Sequence, residues 1–224
     1  MKRELKDHDI KSLLVSIRPE HVINILNGDK TLELRKSVPK DFKGWVYIYC
    51  SKGQSLYWSY EFSKYFVDDK PAYNIKGTSS NVKLLSGKVV ARFYFDEFTF
   101  LKYGRWVNHK AYDWNYRGCD DEHLDTFQKL CLTEKQVTDY GDHEKLYAWH
   151  IKNFKVLEPM QLSDFYSQIQ IKKDWLEYKN RCGDFTPLSE QQYFKHYYRN
   201  PDKVSITKAP QRYQFVYVKE KENE

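Results

Sequence analysis

Hydrophobic positions along this chain change period several times, and each change predicts an element. Residues 1–12 are mostly charged and read as a loose lead-in. From Leu13 the run LLVSI is short, apolar and β-branched, which predicts a buried strand. RPEHVINILNGDK follows, with Pro19 suited to a first helical turn and Glu20 complementing a helix N-terminus. Ile17, Val22, Ile25 and Leu26 form one apolar stripe, and Gly28 supplies the stop. From Lys30 to Lys36 the period falls to two. Leu32 and Leu34 then face one way, and Thr31, Glu33 and Arg35 the other.

Three further strands are predicted: Gly44 to Lys52, Gly87 to Phe100 as one long strand, and Lys145 to Pro159 as the last strand of the core. Between them, residues 53–86 and 102–118 lack a clean period and are expected as insertions or long loops. Thr133 caps a short predicted helix over Glu134 to Tyr140, closed by Gly141. After Pro159 a helix is predicted over Met160 to Asn180, and Tyr213 to Val218 is apolar enough for a final strand. Strands joined by short helices predict an α+β fold with a mixed, curled sheet, since a doubly wound fold needs longer helical crossovers. The expected organisation is a lead-in over 1–12, a core domain over 13–160, and a helical extension with a last strand over 161–224.

Composition narrows the class. The 224 residues include 19 Tyr, 13 Phe and 6 Trp, enough apolar surface to bury a core without disulfides or metal. A net charge of +6 with abundant Tyr is compatible with a nucleic-acid groove, and equally with a solvated basic surface. No apolar run reaches the roughly 18 residues of a membrane span, so no membrane is expected as a partner. The four cysteines, at 50, 119, 131 and 182, form no CxxC pair, and reduced thiols in a cytoplasm are expected.

Candidate chemistry concentrates at the motif strand. Glu33 and Arg35, two apart on one face, are close enough to pair, and Lys30 beside them is either a base or a phosphate holder. His150, on a strand with Trp149 and Ile151 facing the other way, is a weaker acid–base candidate or a hydrogen-bonded structural histidine. Tyr57, Trp58, Trp106, Trp114 and Tyr116, in the irregular segments, are the expected exposed stacking platforms, whereas Tyr49, Tyr147 and Trp149 are expected in the core. Cys119, His123, Cys131 and His143 match no zinc module, so neither metal nor cofactor is expected. The run KKDWLEYKNR either extends a nucleic-acid surface or packs as an amphipathic helix through Trp175, Leu176 and Tyr178.

Gly28, Lys30, Thr31, Glu33 and Arg35, followed by the strand WVYIYCSK, resemble the ASCH domain of the PUA-like superfamily, whose signature is a helix ending in Gly-x-Lys-Ser/Thr-x-Glu-x-Arg. KVVARFYFDEF, LYAWHIKNFKVLEPMQLSDF and the tail ITKAPQRYQFVYV are similar to later parts of its phage and Gram-positive subgroup. The resemblance implies a small mixed PUA-like β-barrel with short flanking helices and a helical C-terminal extension. It also implies a cleft lined by Thr31, Glu33 and Arg35. RNA, another single-stranded nucleic acid or a modified nucleoside is the implied partner of a monomer. Lys30, Glu33, Arg35, Lys36, Lys52 and Arg92 are then the expected ligand contacts. Some members of the superfamily hydrolyse acetylated cytidine with the motif lysine and a threonine three positions on. Glu33 stands in that place here, which shifts the expectation from catalysis to binding. The alternatives are a hydrolase, either amidohydrolase or ribonuclease, acting through Lys30, Thr31, Glu33 and weakly His150, and a phage or host regulatory module that contacts protein.

Overall fold

The computed structural model describes residues 11–69, 81–105, 112–115, 121–141, 145–182, 186–190, 192–193 and 205–218. It begins with strand β1 (Ser12–Ile17) and helix α1 (Pro19–Leu26), as the apolar run and the Pro–Glu start predict. Val22 and Ile25 bury the helix against the core. Gly28, at φ 85°, takes the left-handed turn that ends it. The Asp29 and Lys30 amides then both donate to the Asn24 carbonyl, fixing where the motif strand β2 (Leu32–Arg35) departs.

β3 (Gly44–Cys50) pairs in parallel with β1 and antiparallel with β7 (Val89–Phe95). With β11 (Lys152–Met160), β12 (Phe165–Ser167) and β13 (Tyr213–Val218) they make a six-stranded mixed sheet in the order β11-β7-β3-β1-β13-β12. A second sheet runs β2-β10-β8-β9, with β8 at Phe98–Arg105, β9 at Tyr112–Asn115 and β10 at Leu146–His150. The fold is α+β with a curled mixed sheet, as the alternation of strands and short helices predicts.

Two long strands of the sequence reading are each two strands. Gly87 to Phe100 divides at Asp96 and Glu97 into β7 and β8, and Lys145 to Pro159 divides at Ile151 into β10 and β11. The halves belong to different sheets, so the chain passes a corner twice, side by side. The corner is tied by Lys152 Nζ, 3.0 Å from Asp96 and 2.7 Å from Glu97, and by the His150 amide donating to the Glu97 carbonyl. A period of two continues through a bend of this kind, which is why hydrophobicity alone does not show it.

Residues 53–86 are not a structureless insertion either. β4 (Ser55–Ser59), β5 (Lys64–Asp68) and β6 (Val82–Leu84) form a three-stranded antiparallel sheet whose Leu56, Trp58, Tyr65 and Val67 pack on the main core. The segment 102–118 likewise contains the end of β8 paired with β9. Met160 to Asn180 is not one helix. A 3-10 turn at Leu162–Asp164 and β12 precede helix α4 (Gln168–Arg181), whose Ser167 hydroxyl accepts from the Gln170 amide. Trp175 donates to the Leu188 carbonyl and Tyr178 packs on Tyr193, while Leu176 is exposed rather than packed.

Two more helices cover the second sheet. α2 (Asp121–Leu130), absent from the sequence reading, and α3 (Glu134–Gly141) contribute Leu130 and Val137 to a cluster with Leu32, Leu34, Leu101, Leu146 and Ala148. The α3 start is a reciprocal cap: Gln136 N donates to Thr133 Oγ1 and Thr133 N to Gln136 Oε1. α2 ends with Cys131 at φ 51°, and its amides close as a Schellman motif, Leu132 N to Phe127 O and Cys131 N to Gln128 O. Phe127 and Leu132 both pack on the cluster beneath, the apolar contact such an end requires.

Candidate functional site

Since Leu32 and Leu34 are committed to the cluster under α2 and α3, strand alternation turns Glu33 and Arg35 to the other face of β2. Across β10 their partners are Trp149 and Tyr147, both of the main core. Two charged side chains are therefore driven inside, where an isolated charge is prohibitive. Glu33 Oε1 lies 3.0 Å from Arg35 Nη2, and Glu33 Oε2 lies 3.6 Å from Lys30 Nζ. One carboxylate thus bridges two cations, all three side chains being at most 10% exposed.

Each cation has a second task. Lys30 Nζ donates at 2.7 Å to the carbonyl of Leu130, at the C-terminal end of α2, where the helix dipole favours positive charge. Arg35 donates to Ser16 O at 3.1 Å and Arg212 O at 3.3 Å, tying β2 to the end of β1 and to the approach to β13. Its Nε finds no acceptor among the described residues. Burial depresses the Lys30 pKa, with Glu33 opposing the shift.

The triad forms one wall of an open cleft of about 410 Å3, within the size range of small-ligand sites. Arg18, Glu20 and His21 enter it from the start of α1, Gln136, Asp139 and Tyr140 from α3, and Gln211 from the segment before β13. Burial lowers the pKa of His21 and Lys30 lowers it further, while Glu33 and Glu20 raise it. Tyr140 is pushed up by burial and drawn down by Arg35.

Lys30, Glu33 and Arg35 are thus together, although Lys30 reaches Glu33 from outside the regular strand rather than by alternation. Thr31 is not with them. It is exposed, and its backbone is engaged by Lys129 O and Ile151 N. His150 pairs in register with Leu32, so it lies on the opposite face from Glu33, where Nε2 is 2.9 Å from Thr99 Oγ1 and burial lowers its pKa. Lys36 is exposed at the edge, 5.4 Å over the Tyr140 ring. Lys52 lies against Gly87, and Arg92 stacks on Trp45 and donates to Tyr47, so neither lines the cleft.

Tyr57 and Trp58 are strand residues paired with Phe66 and Tyr65, and Trp58 packs on the core, so they are not the loop platforms expected. Trp114 is in β9, opposite Tyr103. Trp106, Tyr116, Cys119 and His143 lie outside the described residues. Tyr49 and Trp149 are buried and Tyr147 packs against the core. His21, Gln136, Asp139, Tyr140 and Gln211 complete the lining without belonging to any sequence motif. A polar face at the start of the helix preceding the motif was a usable signal for His21, whereas Tyr140 and Gln211 reach the cleft only through the packing of distant segments.

No family model and no curated protein matches the chain. Among solved structures it is similar to ASCH from Zymomonas mobilis, at 15% identity over 82% of this chain and 93% of that one, with a TM-score of 0.39. A serine-to-alanine variant of that protein gives 16% identity over 85% and 96% of the two chains, with a TM-score of 0.40. At such scores the likeness is distant and settles neither family nor activity.

Proposed function

We propose that the chain is an ASCH-type, PUA-like module whose cleft binds a base or nucleotide unit of RNA or another single-stranded nucleic acid. The observation that carries this reading is the buried Lys30–Glu33–Arg35 triad at the wall of an open cleft. One carboxylate held between two buried cations fixes charges and donors in a poorly screened place, which suits a polar ligand with hydrogen-bonding edges. Gln136, Asp139 and Tyr140 in the lining of the same cleft supply donors, acceptors and a ring face of the kind that reads a base.

Because Lys30 and Arg35 are buried and hold backbone carbonyls, truncating them tests stability as much as binding. Arg18→Ala, Gln136→Ala and Tyr140→Ala are better probes. Titration of labelled single-stranded RNA 12-mers by fluorescence anisotropy should show affinity falling steeply as salt rises, and each substitution should weaken it several-fold with circular dichroism unchanged. Binding that ignores all three substitutions rules out this cleft.

A second reading is a hydrolase acting on a modified nucleoside or RNA from the same cleft, favoured by the depressed pKa of Lys30 beside Glu33. Product from acylated nucleosides or short RNAs, lost in Lys30→Met while the fold is retained, would establish it. A full panel without product would remove it.

A further inference from the structure

The cleft and its neighbouring notch differ in charge. Three carboxylates, Glu20, Glu33 and Asp139, face three cations, Arg18, Lys30 and Arg35, around the cleft itself. Beside it, a notch of about 50 Å3 is bounded by Arg35, Lys36, Ser37, Tyr140 and Arg212, and no acidic residue lines it among the described residues. The two spaces share Arg35, Tyr140 and Gln211, so one ligand can extend from the first into the second. Room for a few water-sized groups beside Lys36, Arg212 and Arg35, the last already paired with Glu33, and near the hydroxyls of Ser37 and Tyr140 is the chemistry of an oxyanion site.

A second observation points the same way. Arg35 is buried, two of its nitrogens hold Glu33, Ser16 and Arg212, and yet its Nε–H has no acceptor among the described residues. The guanidinium is thereby fixed in place at the edge of the notch, its charge preorganised for an anion at Lys36 and Arg212 while Nε itself stays closed to solvent. Arg35 and Arg212 line the notch together with Tyr140, and both draw down its phenol, so both charges lie near that hydroxyl.

We propose that this notch is a phosphate subsite, so that the cleft takes a phosphorylated nucleotide rather than a free nucleoside, with its base in the charge-balanced cleft and its phosphate between Arg35, Lys36 and Arg212. The inference rests on the cleft being a base site, and it narrows the ligand to a nucleotide, whether free or within a strand.

Calorimetry on the full chain with the four common ribonucleosides, their 3′- and 5′-monophosphates, inorganic phosphate and short single-stranded RNA tests it. Monophosphates should bind about tenfold or more tightly than their nucleosides. The double variant Lys36→Ala/Arg212→Ala should remove that advantage, and inorganic phosphate should compete with the monophosphates in the unaltered chain. An advantage seen with RNA and not with mononucleotides, and lost in the same double variant, supports the subsite and identifies a strand phosphate as its occupant. Nucleosides and monophosphates binding equally, with no advantage for RNA either, would overturn the subsite and leave the base cleft standing. An advantage that survives the double variant overturns it as well, and failure of every probe overturns both readings.

Discussion

At the residue scale, Glu33 holds the site in a state that neither cation could reach alone. Glu33→Gln leaves two buried cations facing each other without their carboxylate, and it should cost roughly 3–5 kcal/mol in urea unfolding. Adding Lys30→Met should recover part of that loss, because the second buried charge is then gone. Acid titration reads a different pair. Burial holds His21 and His150 below their ordinary pKa of about 6.5, so the unfolded chain takes up protons there before the folded one does. Stability is therefore expected to decline as pH falls from about 6.5, levelling off below the folded-state values. Thermal melts between pH 7.5 and 5 check this, and His21→Gln and His150→Gln should each flatten the slope. The charges of the motif were legible from alternation, whereas the depth of their burial was not. Lys30 is only 2% exposed because the end of a helix 100 residues later closes over it.

At the element scale, short connections do much of the positioning. Gly28 adopts φ 85° with nothing within 4 Å of where a Cβ would stand, so Gly28→Ala should lose only backbone energy, about 1–2 kcal/mol by chemical denaturation. Gly28→Asn should lose less, since asparagine tolerates that conformation better. Thr133→Ala removes the α3 cap and should cost about 1 kcal/mol, with loss of amide protection at the start of that helix. Elements marked by a continuous apolar run or an amphipathic stripe, such as β1, α1, β3 and β13, were readable from sequence. The corner dividing β7 from β8 and β10 from β11 was not, because each strand keeps its alternation while changing partners. α2 escaped for another reason: it ends in a left-handed Cys131 where a glycine would have been the recognisable signal.

For the whole molecule, the last strand matters as much as the first. β13 sits between β1 and β12, and Val216 is fully buried. Deleting residues 205–224 should open the six-stranded sheet at that point and abolish cooperative unfolding by circular dichroism, a larger effect than loss of an appended tail. The cleft has the same long-range character, drawing His21, Glu33, Tyr140 and Gln211 from four separate segments. Local pattern was sufficient for the mixed α+β class, the motif strand and the sorting of Leu32 and Leu34 from Glu33 and Arg35, because these depend on periods of two and 3.6 that any short window contains. It could not place Thr31 and His150 away from the triad, or bring Tyr140 and Arg212 beside it. Those outcomes depend on how sheets meet at a corner and which distant helix covers them, and packing between remote segments leaves no periodic mark on the chain.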